Sequence, residues 1–456
     1  MTTREWKDPG RPFPDNDRDP RSPGQLVDDL CSTRRQVAGL VQREQDGAFR
    51  RELLRALQQR RHHRRGMFWR KPPLQFDAVR TPGRRETLIV TGELLVRSAV
   101  LSDRDVQDFI RRYRFQRSAV SCLDGRVTRL RNPELDPQRL NDIARLLRQR
   151  GFSASVNHIA PLGPVGKGLG GPEPSDGRLV FPGEQVGGVQ VAVIDTGIAQ
   201  RRRPDGWLAA VPRGGNIDPL DAFPAPSGDG FLDFGAGHGS FVAGILQQVE
   251  GAADIRVIRA LDSDGIGSDE QVACAMVQAV RDGARILNLS LGTETLDDQP
   301  PTALEVALEI IGELEQQRGE KVVIVAAAGN FASSRPCWPA AFRRVVSVAG
   351  LTADLTATSW SNRGFWVDCS AVGEGVLSTY VEGNESFEAD PKPDSFPQDP
   401  FALWSGTSFA APQIAGALAR ICREDQVPPE EALRRLLNRG KPLPDFGRAL
   451  KILPGT

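Results

Sequence analysis

The sequence predicts an α/β protein: a doubly wound, mostly parallel sheet with helices on both faces, preceded by a small α+β domain. After residue 183, short runs rich in β-branched residues alternate with amphipathic helical segments. This alternation is typical of a parallel sheet that is covered on both faces. Between residues 86 and 163, strand and helix patterns follow each other in the order of a compact β-α-β-β-α-β unit.

Five regions are predicted along the chain. Residues 1–25 are polar and rich in Pro and Asp, and we expect a disordered tail. Residues 26–85 form a basic, mainly helical region. Residues 86–163 form the small α+β domain, 164–182 a linker too rich in Gly and Pro for regular structure, and 183–445 the large α/β domain.

Capping signals place the two helices of the small domain. Ser102, with Asp105 three residues later, predicts the start of the first helix, in the pattern of a capping box. For the second helix, Asp136 is the expected N-cap, Pro137 the first helical residue and Gly151 the residue past the end. Strands are expected in ETLIVTGELLVR, as a pair around SAVSCLDGRVTRLR, and in FSASVNHIA.

Charge is distributed unevenly along a chain whose net charge is zero. Residues 1–150 contain 33 Lys and Arg against 20 Asp and Glu, whereas the remainder contains 25 against 38, so the two parts carry +13 and −13. We expect the basic N-terminal region to dock on the acidic large domain, or to meet another acidic partner. The basic run RRHHRRGMFWRK offers only Phe68 and Trp69 for stacking on bases, so a solvated linker or helix face is expected there and nucleic acid is not.

Cysteine usage and hydropathy bear on the compartment. The six cysteines are scattered without a CxxC pair, which predicts reduced thiols and no structural zinc. No apolar run is long enough for a membrane span, and the polar start has no apolar core of a secretory signal. The expected location is therefore the cytoplasm, and no cofactor is expected.

Four polar residues at predicted strand ends or helix starts are candidates for a catalytic site. Asp195 ends VAVID, His238 opens the helix in GHGSFVAGI, and Asn330 follows the strand in VIVAAAGN. Ser408 lies at a helix N-terminus in WSGTSFAAPQ, where Pro412 fits and free N–H groups favour negative charge. Taken singly, each has an ordinary explanation as a turn, core or cap residue.

The sequence Asp-Thr-Gly at Asp195 also occurs in aspartic proteases. Those enzymes need two carboxylates that share one proton. Because no second Asp-Thr-Gly occurs in this sequence, that alternative would require a dimer.

The segments DTG, HGSFVAG, SLG, AAGN and GTSFAAP stand in this order along the chain. Together they resemble the motifs of the subtilisin-like serine proteases, and the resemblance covers about residues 183–440. It implies a serine endopeptidase of the subtilisin-like fold in which Ser408 is the nucleophile and His238 its general base. Asp195 would hold His238 in the right tautomer and stabilise its cation.

The same resemblance implies further roles. The Asn330 amide and the Ser408 backbone N–H would form an oxyanion hole. Ser290, Leu291 and Gly292 match the segment that pairs with the backbone of a polypeptide substrate as an added strand. Members of that family often bind calcium, but we match no ligand set in this sequence and expect no metal.

Three alternatives stay open. The small domain resembles the inhibitory prodomain of these proteases in its order of elements, but it could instead be a permanent regulatory or partner-binding domain. The acidic insertion EGNESFEADPKPDSFPQDPF could rim the cleft and select basic substrates, or be a surface loop. The whole protein could be a proteolytically silent scaffold that binds peptides, although the intact set of Asp195, His238 and Ser408 argues against it.

Overall fold

The computed structural model describes residues 19, 21–45, 47–62, 73–80, 86–160, 170–181, 183, 187–223, 228–388 and 392–456. Most of the tail that the sequence predicts to be disordered, and residues 63–71 of the basic run, lie outside these ranges. The last residues of the predicted tail are helical, because a helix begins at Pro23. Across the described ranges, no helix combines the length and the apolar character that crossing a bilayer requires.

The N-terminal region contains two helices followed by a small antiparallel sheet with two more helices. Strand β2 is central: β1 and β4 pair with one of its edges and β5 with the other. Strand β3 pairs with β4. The elements are α1 (Pro23–Gln45), α2 (Gly47–His62), β1 (Phe76–Val79), β2 (Thr87–Arg97), α3 (Arg104–Arg112), β3 (Gln116–Ala119), β4 (Val127–Arg131), α4 (Pro137–Gln149) and β5 (Ala154–His158).

Two details of this region differ from the sequence prediction. The N-cap of α3 is Asp103 and not Ser102, because the carboxylate of Asp103 accepts hydrogen bonds from the backbone N–H groups of Asp105 and Val106. Strand β1 was not predicted, since its Pro-containing surroundings read as loop and only pairing with β2 makes it a strand. The predicted capping of α4 by Asp136 is confirmed.

The large domain is built on an eight-stranded sheet in the order β10-β7-β11-β13-β15-β16-β22-β21. All neighbours are parallel except the last pair, so the predicted doubly wound, mostly parallel sheet is confirmed. Its elements are β7 (Gln190–Asp195), β8 (Ile198–Ala199), β9 (Ile217–Asp218), α5 (His238–Val249), β10 (Asp254–Arg259), α6 (Asp269–Arg281), β11 (Ile286–Leu289), β12 (Thr293–Glu294), α7 (Thr302–Arg318), β13 (Val323–Ala327), β14 (Cys337–Trp338), β15 (Val345–Leu351), β16 (Cys369–Val372), β17 (Val376–Thr379), β18 (Gly383–Asn384), β19 (Ser395–Phe396), β20 (Phe401–Trp404), α8 (Thr407–Asp425), α9 (Pro429–Arg439), β21 (Lys441–Leu443) and β22 (Gly447–Leu450).

Each face of this sheet has its own apolar core. On one face α5 and α8 pack against side chains such as Val193 and Val325. On the other, α6 and α7 pack against the alternate side chains, such as Ile194 and Ile324. Successive strand residues point to opposite faces, so strands covered on both sides are apolar throughout, as the sequence predicted.

The small domain contacts α6 and α7 of the large domain. Apolar side chains of its sheet, including Leu95 and Val127, belong to the same core as these helices. Ile159 forms an antiparallel bridge with Ser268, and the backbone N–H of Ala160 donates to the Gly267 carbonyl at 2.8 Å. Ion pairs surround the apolar contact: Arg97–Glu309, Arg126–Glu313, Arg129–Glu270 and Arg281–Asp124.

The prediction that all thiols are reduced is wrong for this structure. Cys122, beside β4, and Cys274, on α6, form a disulfide with their Cα atoms 5.4 Å apart. The two residues are separated by 152 positions and meet only in the folded structure, so sequence spacing gave no signal. Cys31, Cys337, Cys369 and Cys422 are free.

The predicted linker is also more ordered than its composition suggested. Within its described part, residues 173–175 form strand β6 (Glu173–Ser175), which pairs antiparallel with β20. The Gln36 side chain of α1 donates to the carbonyls of Gly171 and Leu403, at 2.8 Å each. Regular structure arises here because an edge strand of the large domain supplies partners that the segment lacks by itself.

Candidate active site

The candidate residues meet at one edge of the parallel sheet, beyond the carboxyl ends of three neighbouring strands. Asp195 is the last residue of β7, Ser290 directly follows β11, and Asn330 lies three residues after β13. Because these strands are parallel neighbours, their carboxyl ends share that edge. The N-termini of α5 and α8 bring His238 and Ser408 to the same place.

A short, buried contact joins Asp195 and His238. The Nδ1 atom of His238 lies 2.8 Å from Oδ1 and 3.0 Å from Oδ2 of Asp195. A carboxylate can only accept, so Nδ1 carries the proton and Nε2 is left as the basic nitrogen of the neutral ring. The backbone N–H of Thr196 donates to the same carboxylate at 2.7 Å. The ring of His238 is therefore fixed in one tautomer and orientation.

Aromatic side chains enclose the other faces of the imidazole. The His238 ring lies edge-on to Trp404, with ring centroids 5.2 Å apart, and 5.4 Å from the ring of Phe409. Phe409 directly follows Ser408, so this packing sets the histidine beside the turn that carries Ser408. Because both rings are buried, they exclude water from around the imidazole.

Ser408 is held by a reciprocal pair of hydrogen bonds with Ser290. The Ser408 hydroxyl donates to the Ser290 carbonyl at 2.9 Å, and the Ser290 hydroxyl donates to the Ser408 carbonyl at 2.7 Å. In this structure the Ser408 proton therefore points to Ser290 rather than to His238. Ser408 is the second residue of α8, where the backbone N–H has no partner inside the helix.

Asn330 faces the start of the same helix. Its Oδ1 atom accepts from the backbone N–H of Thr407 at 2.9 Å and from the Thr407 hydroxyl at 2.8 Å. The backbone N–H can only donate, so the atom that faces it is Oδ1 and Nδ2 is the end that can donate. Gly406 keeps that end accessible, because a Cβ there would lie 3.2 Å from Nδ2.

The segment with Ser290, Leu291 and Gly292 runs between β11 and β12 at the edge of the site. Leu291 is buried, and Gly292 lies so close to Cys337 that a Cβ would come within 2.7 Å of its sulfur. The glycine is therefore needed for close packing under the segment.

Asp218 is a residue of the site that sequence reasoning missed. Its carboxylate accepts from the Thr196 hydroxyl and from the backbone N–H of Gly237, both at 2.9 Å. It thereby fixes the residue that follows Asp195 and the residue that precedes His238. Burial raises the pKa of Asp218. Nothing in its sequence context, NIDPLD, distinguishes it from a turn aspartate.

The part of the chain that the structure describes contains no cluster of side chains typical of a metal centre. There, no three His, Cys, Asp or Glu side chains are grouped so that they could hold an ion.

Comparison with known proteins decides the family. Residues 187–443 match the model of the Subtilase family, which is more than half of the chain. The chain belongs to the subtilase family. The matched residues contain Asp195, His238, Asn330 and Ser408, and they form a serine peptidase domain of the subtilisin type.

Individual subtilases are similar over the same region. The thermophilic serine proteinase of Bacillus sp. (strain AK1) is 32% identical over 252 residues, which cover 52% of this chain and 53% of that protein. The chain thus matches about half the length of this relative. Thermitase of Thermoactinomyces vulgaris is 31% identical over 239 residues, covering 50% of this chain and 73% of thermitase.

One solved structure extends the likeness in fold beyond the subtilase domain. Fervidolysin from Fervidobacterium pennivorans, a keratinolytic enzyme related to subtilisin, superposes with a TM-score of 0.55 at 17% identity. The superposition covers 82% of this chain and 61% of fervidolysin. At this identity the comparison shows the fold alone.

Proposed function

We propose that this subtilase is a serine endopeptidase that cleaves polypeptides through Asp195, His238 and Ser408. The observation that carries the proposal is the buried contact between Asp195 and Nδ1 of His238, which leaves Nε2 as a base beside the nucleophile turn. In the reaction, Nε2 takes the proton of the Ser408 hydroxyl while Oγ attacks the scissile carbonyl carbon. The imidazolium that forms is stabilised by Asp195 and then protonates the leaving amine.

The oxyanion of the tetrahedral intermediate is stabilised by two donors. One is the amide Nδ2 of Asn330, which is oriented by Thr407. The other is the backbone N–H of Ser408 at the positive end of α8. The segment Ser290–Gly292 pairs with the substrate backbone as an added strand.

A silent peptide-binding scaffold is the second candidate, and one observation favours it. The Ser408 hydroxyl donates to Ser290 and not to His238. Catalytic hydrogen bonds are often long or poorly aligned without substrate and tighten only when substrate binds. The contact is therefore compatible with an enzyme, and activity has to decide between the two.

Hydrolysis of a protein substrate separates these candidates. The N-terminal region is first released by a specific protease cut placed within residues 161–169, followed by reduction at high salt. The wild type treated in this way should release peptides from dye-labelled casein, and Ser408→Ala should not. Ser370→Ala is the matched control, because the buried Ser370 hydroxyl finds no hydrogen-bond partner among the described residues and lies in β16. Equal release by the wild type and Ser408→Ala would support the scaffold.

We further propose that the N-terminal region restrains the peptidase by docking on it. The proposal is supported by the ion pairs and the apolar contact with α6 and α7, and by the charges of +13 and −13 on the two parts of the chain. Ala160 donates to Gly267 in the antiparallel manner of a bound peptide strand. In this role the small domain acts as a prodomain or a permanent inhibitory domain.

A further inference from the structure

Two adjacent arginines of α2 are buried against the peptidase domain. Arg60 is 7% and Arg61 is 1% exposed. Arg60 donates to Asp233 Oδ1 and to Glu388 Oε2, at 2.9 Å each, and Arg61 donates to Asp262 Oδ2 at 2.5 Å. Burying a guanidinium is costly unless carboxylates surround it, so this contact is a built site rather than an incidental surface pair. We call it the acidic pocket, formed by Asp233, Asp262, Asp264, Glu388, Phe223 and Phe234.

The acidic pocket has aromatic walls that fit flat cations. The Arg60 guanidinium carbon lies 4.8 Å from the centroid of the Phe234 ring, and that of Arg61 lies 4.9 Å from the centroid of Phe223. A planar guanidinium stacks on a ring while its N–H groups reach carboxylates in the same plane. A lysine ammonium does not combine the two contacts in this way. The pocket is therefore selective for guanidinium among basic groups.

Asp264 lies at the centre of the pocket and depends on a cation. Its side chain is fully buried, and no hydrogen bond of normal geometry reaches either carboxylate oxygen among the described residues. The closest cationic atoms are Nη2 of Arg61 at 3.6 Å and Nη2 of Arg60 at 3.9 Å. Burial raises the pKa of Asp264 to about 6. Without a cation, only a contact from the Phe234 backbone would offset the burial of this carboxylate.

The pocket adjoins the cleft through the two loops that carry it. Asp233 precedes His238 by five residues, and Asp264 precedes Gly267, whose carbonyl accepts from Ala160, by three. A hydrogen bond of 2.8 Å from the Gly235 backbone N–H to the Ser263 carbonyl ties these loops together. A polypeptide that pairs with Gly267 as Ala160 does would therefore lie close to the pocket.

We propose that the acidic pocket is a subsite for arginine side chains of the polypeptide substrate, and that Arg60 and Arg61 of α2 occupy it in the intact chain. The assignment of the ligand as a substrate rests on the proposed peptidase function. The preference of the pocket for a guanidinium group does not depend on that function. When the N-terminal region leaves, the pocket becomes accessible. It then binds arginine-rich polypeptides more tightly than other polypeptides. The acidic insertion contributes Glu388 to it, which agrees with the cleft-rim alternative for that insertion.

Binding can be measured without chemistry by using full-length chains that carry Ser408→Ala. The probes are fluorescein-labelled hexa-arginine and hexa-lysine, read by fluorescence anisotropy. Arg60→Gln with Arg61→Gln vacates the pocket, and hexa-arginine should then bind at least about tenfold tighter than to the Ser408→Ala parent. Hexa-lysine should bind the vacated chain at least about tenfold more weakly than hexa-arginine.

The carboxylate is tested in the vacated chain with a matched pair of variants. Asp264→Asn should weaken hexa-arginine binding at least about tenfold. Asp354→Asn, at an exposed turn, should leave it unchanged. Equal affinity for the parent and the vacated chain, equal affinity for both peptides, or insensitivity to Asp264→Asn would each overturn the proposal.

A second measurement applies if the vacated chain fails to fold. In the Ser408→Ala parent, hexa-arginine should compete with α2 and speed hydrogen exchange of its backbone amides, whereas hexa-lysine should not. Unchanged exchange at saturating hexa-arginine would overturn the proposal. These readouts need no turnover, so their failure contradicts the pocket alone, whereas a lack of hydrolysis contradicts the peptidase function alone.

Discussion

The Asn330 side chain accepts two hydrogen bonds from a single residue, Thr407, through its backbone N–H at 2.9 Å and its hydroxyl at 2.8 Å. The Thr407 hydroxyl in turn accepts from the Gly329 backbone N–H at 3.1 Å. This arrangement fixes the amide of Asn330 before substrate arrives. A donor held in advance costs little reorganisation when charge develops on the substrate oxygen.

Loss of the Asn330 amide should therefore act on the chemical step. We expect Asn330→Ala to lower kcat by about 10²–10³ with little change in KM, which is the size of the loss known from subtilisin. Steady-state kinetics on a peptide substrate measures both constants. A rise in KM as large as the fall in kcat would assign Asn330 to substrate binding instead.

Thr407→Val tests the orientation of that amide. The substitution removes the hydroxyl, which donates to Asn330 and accepts from Gly329, but keeps the backbone N–H. Asn330 therefore stays in place and is held less firmly. We expect kcat to fall by about tenfold, the worth of roughly one hydrogen bond, with KM unchanged. Thr356→Val, at an exposed position that also loses a hydroxyl hydrogen bond, is the control and should match the wild type. A loss as large as that of Asn330→Ala would mean that Thr407 does more than orient the amide.

The disulfide between Cys122 and Cys274 predicts the number of free thiols. Unfolded without reductant, the protein should expose four thiols, those of Cys31, Cys337, Cys369 and Cys422. After reduction it should expose six, because all six cysteines of the chain then react. Titration with a thiol reagent in denaturant measures both numbers. Six thiols in protein purified without reductant would contradict the disulfide.

Restraint by the N-terminal region should depend on both salt and reductant. A site for a specific protease placed within residues 161–169 allows the chain to be cut between the small domain and the peptidase domain. After cutting, we expect peptide hydrolysis to stay low until a dithiol reductant and high salt are both present. Salt acts because the Debye length falls from about 10 Å at 0.1 M to about 3 Å at 1 M, while the apolar contact persists and keeps release partial.

Cys122→Ser provides the control for this experiment, because salt alone should activate the cut chain that carries it. Full activity of the cut, oxidised chain at low salt would show that docking does not restrain the peptidase. The small domain would then serve another partner.

The sequence predicted those parts of the fold that local patterns determine. The alternation of strands and helices indicated the parallel sheet, and Asp136 with Pro137 marked the start of α4. Strand β6 could not be predicted, because only pairing with β20 makes that segment regular. The Cys122–Cys274 contact likewise joins residues 152 positions apart, and no local pattern indicates it.

The same distinction applies to the candidate site. Asp195, His238, Asn330 and Ser408 each lie in a short motif, so the sequence indicated them together. Asp218 acts by holding Thr196 and Gly237, which flank Asp195 and His238. The residues around Asp218 in the sequence form no motif that would indicate this role. The acidic pocket could not be predicted from the sequence for a related reason. Its carboxylates come from separate loops, and its guanidinium groups come from a helix that lies far away in the chain.

Covalent labelling of Ser408 tests the central claim most directly. A fluorophosphonate reacts with a serine that a neighbouring base activates. In the cut and reduced chain at high salt, we expect one label, located by peptide mass spectrometry at Ser408 and absent from Ser408→Ala. A folded, separated peptidase domain that takes up no label, or takes it up on another serine, would contradict the account.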